Sequence, residues 1–132
     1  MLPDNGLGIN GAKHLADGLQ NNKVIITLNI NGNAIGDEGA LHIATLLSKN
    51  QTLNIIDLSK NQIGILGAQQ LGQALRDNTA LKIINLSNNQ ITALGAQFIG
   101  FALRNNKVIL NLILSIDYST LIPYTDCYYI KS

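Results

Sequence analysis

The chain has 132 residues, of which 46% are apolar and only 13% charged, a length suited to one domain and a composition far from that of a disordered segment. Nine Lys and Arg stand against eight Asp and Glu, for a formal net charge of +1; no basic block follows a phosphate backbone, so nucleic acid is not an expected partner. The lone cysteine, Cys127, permits neither an internal disulfide nor a thiolate zinc cluster.

In chain order, the first element is a helix patterned by Gly11, Ala12, Leu15 and Leu19 and closed at Asn22. Ile25, Leu28 and Ile30 then space a short strand near 26–30, because side chains on one sheet face recur every second residue. Asn33 and Ile35 lead into a second helix through Gly39, Ala40, Ile43 and Leu47 to Asn50, followed by a strand near 54–58 carrying Leu53, Ile56 and Leu58. Asn61 and Ile63 open a third helix, Gly67-Ala68-Gln69-Gln70-Leu71-Gly72-Gln73-Ala74-Leu75-Arg76, which ends at Asn78 before a strand near 82–86. Asn89 and Ile91 begin a fourth through Gly95, Ala96, Ile99 and Leu103 to Asn106, with a strand near 110–114. Every column advances by 28 residues, so the units run 5–32, 33–60, 61–88 and 89–116. Residues 117–132 leave the pattern and are expected to form a divergent tail or cap.

Two asparagine columns stand out. Asn22, Asn50, Asn78 and Asn106 are expected to end their helices in the left-handed conformation, which asparagine tolerates better than most residues. Asn33, Asn61 and Asn89 are expected to form a structural ladder, each amide both donating to and accepting from the backbone where strand turns towards helix. On this reading Asn61→Ala is costly, whereas Asn88→Ala, at the rim, costs almost nothing.

The run Leu53-x-x-Ile56-x-Leu58-x-x-Asn61-x-Ile63, followed by Gly67-Ala68-x-x-Leu71-x-x-Ala74-Leu75-x-x-Asn78, resembles the leucine-rich repeat of the ribonuclease-inhibitor-like class. It is similar to the repeats of ribonuclease inhibitor, NOD-like receptors and Ran GTPase-activating proteins. The resemblance implies an α/β solenoid, a right-handed superhelix with parallel strands on the concave side and helices outside, holding protein ligands on the concave face. Leu2 shares the register of Ile30, Leu58 and Leu86, so the chain is expected to start mid-strand, as a piece of a longer array with an uncapped end prone to weak self-association.

The strand assignment puts Asn29, Asn31, Ile55, Asp57, Ser59, Ile83, Asn85 and Ser87 on the concave face as the expected partner-binding residues, with Thr27, Asn111, Ile113 and Ser115 beside them. Catalytic and metal-binding constellations are not expected. His14 and His42 sit one repeat apart but have no third ligand column, Cys127 has no neighbouring histidine, and Asp37 with Glu38 suits a helix start better than acid-base work. Phe98 and Phe101 occupy outward helix positions that are polar in earlier units, so something is expected to cover them, either the tail or a second copy.

The function read from these residues is a non-enzymatic protein-interaction module, a part of a longer receptor, effector or scaffold, with no cofactor and no membrane contact. The start Met1-Leu2-Pro3-Asp4-Asn5 is not a secretory signal, and the apolar run at 108–116 is far shorter than the ~20 residues of a membrane span. A cytoplasmic location is the expectation, with delivery into another cell left open. The alternatives are a GTPase-activating fragment of the Ran-regulator type and a truncated remnant without independent function.

Overall fold

The computed structural model describes residues 2–116 and the backbone of a strand at 126–130. Residues 117–125, 131 and 132, most of the expected tail or cap, lie outside the described residues. Helix α1 (Gly8–Leu19) and strand β1 (Thr27–Asn29) are followed by α2 (Gly36–Lys49), β2 (Ile55–Asp57), α3 (Ile65–Asp77), β3 (Ile83–Leu86), α4 (Ala93–Leu103) and β4 (Asn111–Ile116). The strands β1 to β4 form one parallel sheet in sequential order, each residue opposite the one 28 places on, as in Leu28↔Ile56↔Ile84↔Leu112. This is the α/β solenoid that the two hydrophobic periods call for. The tail adds a correction to the all-parallel sheet: β5 (Asp126–Ile130) pairs antiparallel with β4, so part of residues 117–132 closes a sheet edge.

The core lies between sheet and helices. Ile30, Leu58 and Leu86 from the strand ends, Ile35, Ile63 and Ile91 from the turns, and Ala40, Ile43, Ala68 and Leu71 from the helices are all fully buried. The repeated glycine before each helical alanine marks the tightest approach. A Cβ on Gly67 would sit 2.7 Å from Ile63 Cγ2 and 3.0 Å from the Ala40 Cβ of the preceding helix, so any larger residue would push the units apart.

The asparagines Asn33, Asn61 and Asn89 are buried at the turns. Nδ2 of Asn61 donates to the carbonyls of Leu58 and Ser59 in the unit 33–60 at 3.1 Å each and to Ile30 in the unit 5–32 at 2.9 Å. Its Oδ1 accepts from Asn33 N–H at 2.9 Å, and Asn89 Oδ1 accepts in turn from Asn61 and Ile63 at 2.9 and 3.0 Å. Each amide therefore satisfies backbone groups of two units at once.

The other column overturns the left-handed expectation. Asn50 and Asn78 have φ of −84° and −75° with extended ψ, and both are buried. Nδ2 of Asn78 donates to Leu47 O at 2.6 Å and Asn50 O at 3.3 Å, while its Oδ1 accepts from Ala80 and Leu81 N–H at 2.9 and 2.7 Å. Asn50 and Asn106 repeat the pattern. The residue type is required by the amide's two-sided hydrogen bonding, and the helix carbonyls it receives are those of the unit before.

Left-handed backbone lies elsewhere, at the rim after β1, β2 and β3, where Gly32, Lys60 and Asn88 have φ of 70°, 55° and 54°, and at Asp4 in the same column, with φ of 51°. Asn88→Ala is therefore not free as expected. Left-handed backbone is strained for alanine and better tolerated by asparagine, so the substitution carries a cost.

Candidate functional site

The face of the sheet turned away from the helices is built by the odd-numbered strand residues, because the even-numbered ones enter the core. Strand register aligns Thr27, Ile55, Ile83 and Asn111 in one row, and Asn29, Asp57, Asn85 and Ile113 in the next. Thr27 and Ile55 are exposed, and Asn29, Asp57, Ile83 and Asn85 are half-buried. On β5, Tyr129 takes the register position opposite Ile113.

The third row departs from the expected surface. Ser59 is 3% exposed, and its N–H and Oγ both donate to Asp57 Oδ1, at 2.9 and 2.5 Å, while its Oγ accepts from Asn31 Nδ2 at 2.6 Å. Ser87 donates likewise to Asn85 Oδ1, from N–H at 3.0 Å and Oγ at 2.7 Å, and Asn29 Oδ1 accepts from Asn31 N–H at 3.0 Å. Ser115 is buried too. The chain bends into the rim at these positions, so Asn31, Ser59 and Ser87 brace the turn, and Asn29, Asp57 and Asn85 each spend one oxygen on it. Alternation alone gives the face of a residue but not the point at which a three-residue strand begins to turn.

The helix side holds a feature that sequence reading assigned differently. Asp37 Oδ1 accepts from Gly64 N–H at 2.7 Å and Gly67 N–H at 2.8 Å, so it caps the N-terminus of α3, the neighbouring helix, besides opening its own. One repeat on, the Asp37 position is Ile65. At the start of α4 the Thr92 hydroxyl is buried without a hydrogen-bond partner and makes no capping bond to its own helix. The signal that could have found this was the singularity of Asp37 in its column.

His14 on α1 is exposed and His42 on α2 half-buried. Among the described residues no three His, Cys, Asp or Glu side chains come together as a metal site, and no helix is long and apolar enough to cross a membrane. Phe98 is half-buried between α3 and α4, and Phe101 is 60% exposed with the Arg104 guanidinium 5.3 Å above its ring. The described part of the tail pairs with β4 at the sheet edge.

Comparison with known proteins agrees with this architecture. The leucine-rich repeat family model matches residues 21–44, 49–72 and 77–100, more than half of the chain and in step with its period. No curated protein matches the sequence. Among solved structures, leiomodin-1 actin-binding site 2 is 25% identical with a TM-score of 0.73 over 79% of this chain. The match covers 61% of the leiomodin-1 chain, so the present chain spans about three-fifths of it. The tropomodulin C-terminal domain of Caenorhabditis elegans, 13% identical with a TM-score of 0.58, covers 86% of this chain and 84% of its own, a likeness of fold alone. The chain belongs to the leucine-rich repeat family, and its solenoid is of the ribonuclease-inhibitor-like class.

Proposed function

We propose that the chain is a non-enzymatic protein-interaction module, part of a longer leucine-rich-repeat receptor, effector or scaffold, and that it holds its partner on the open face of the sheet. The observation that carries this reading is the alignment of Thr27, Ile55 and Ile83 beside Asn29, Asp57 and Asn85 across three parallel strands. The strands are tied by amides that bond to two units each, so the face is rigid before a partner arrives, and binding loses little conformational entropy. The leiomodin-1 structure is described as an actin-binding site, which supports a protein as the class of partner. Three- and four-residue strands offer less than the ~800 Å² per side of a standard interface, so binding is micromolar or weaker.

The test uses Thr27→Arg together with Ile55→Arg. These residues are register neighbours and exposed, whereas replacing Asp57 or Asn85 would also break the turn. Titration with candidate proteins, actin first, is expected to show binding that the double variant loses while its denaturation midpoint stays unchanged. Full retention by the double variant removes the open face from the account. Faster GTP hydrolysis by a small GTPase on addition of the chain would overturn the non-enzymatic reading.

A further inference from the structure

We propose that the outer flank of α4 is a docking slot for an acidic amphipathic helix of a partner protein, separate from the open sheet face. The repeat supplies its own template. Between α3 and α4 lies a groove of about 240 Å³ whose α3 wall is Gln69, Gly72, Gln73 and Arg76. There α4 crosses α3 closely: a Cβ on Gly72 would lie 2.9 Å from the Phe98 carbonyl oxygen. On the far side of α4 a second groove of about 360 Å³ is lined by Gln97, Gly100, Phe101 and Arg104. Each of these stands 28 residues after its counterpart in the α3 wall. The wall that seats a helix on α3 is thus repeated on α4, but a Cβ on Gly100 would meet nothing within 4 Å. Among the described residues no helix fills the place.

Two features fix the chemistry of the occupant. A glycine inside a helix weakens it, and close approach of another backbone is the usual reason for one; Gly72 has that approach and Gly100 awaits it. Phe101, which lines this groove, is 60% exposed, so the occupant brings an apolar stripe. The charge comes from the second feature. On the α3 wall Arg76 pairs with Asp77 at 3.0 Å, but the position one repeat on is Asn105, beside Arg104. Residues 78–116 contain Lys82, Arg104 and Lys107 and no acidic residue at all. A second copy packing α4 on α4 would set Arg104, the charged residue that lines this groove, against its own kind. A carboxylate-bearing helix complements it.

The experiment titrates the full chain with a synthetic amphipathic helix of about five turns, carrying a Leu and Ala stripe flanked by Glu, and with the same peptide carrying Lys in place of Glu. The Glu peptide is expected to bind at least about tenfold more tightly, an advantage that shrinks as salt is added. Gly100→Leu fills the slot without touching the fold, as its denaturation midpoint will show, and is expected to weaken the Glu peptide about tenfold. Arg104→Glu is expected to reverse the order of the two peptides. Equal binding of both peptides, no binding of either, or undiminished binding by Gly100→Leu would overturn the proposal. So would a dimer in sedimentation that Gly100→Leu dissolves, which would make a second copy the occupant.

Discussion

The two interior units and the first unit share a sequence pattern, yet the same columns do different work in them. Leu53 and Leu81 are 2% and 0% exposed, whereas Ile25, in the same column, is 37% exposed, with Val24 beside it at 81%. Asn50 and Asn78 donate to carbonyls of the unit before them; Asn22 accepts from Val24 and Ile25 at 2.9 and 2.7 Å, bonds within its own unit. The value of a repeat residue therefore lies largely in its neighbour, as expected for a structure whose cohesion is a sum of unit-to-unit interfaces.

The largest effect should come from the core column. Leu81→Ala empties a fully buried site and is expected to cost about 2–5 kcal/mol, while Ile25→Ala, at the thinly covered end, should cost about 1 kcal/mol. Urea denaturation of the two variants measures the gap, and equal midpoints would mean that the first unit is packed as tightly as the third.

A smaller effect separates the helix starts. Asp37→Ala removes the carboxylate that caps α3 and is expected to cost about 1 kcal/mol, whereas Glu38→Ala, exposed and one residue on, should stay within about 0.5 kcal/mol. Hydrogen exchange at the Gly64 and Gly67 amides should quicken in the first variant only.

The architecture was legible in the sequence because two hydrophobic periods alternate in phase through four units, and only a strand-helix stack buries both. Asn61 could be read as a backbone partner because a sharp turn needs one there. Asn78 could be placed but not explained: tolerance of left-handed backbone and two-sided amide bonding select the same residue, and only its 31-residue reach to Leu47 separates them. Lys60 gave no sign of its left-handed φ, since a sequence shows that conformation mainly through glycine, and only Gly32 in that column carries one. Ser59 was misplaced on the surface because its burial depends on where the strand bends, and Asp37 was credited to its own helix because its bonds run to the next unit.

The most direct test of the central claim, that each unit is completed by the one before it, compares Asn78→Ala with Asn22→Ala by urea denaturation. Asn78→Ala strands the Leu47 and Asn50 carbonyls and the Ala80 and Leu81 amides in the core, and should cost about 2 kcal/mol more than Asn22→Ala, whose backbone partners are exposed to water. Equal losses of stability in the two variants would contradict the claim.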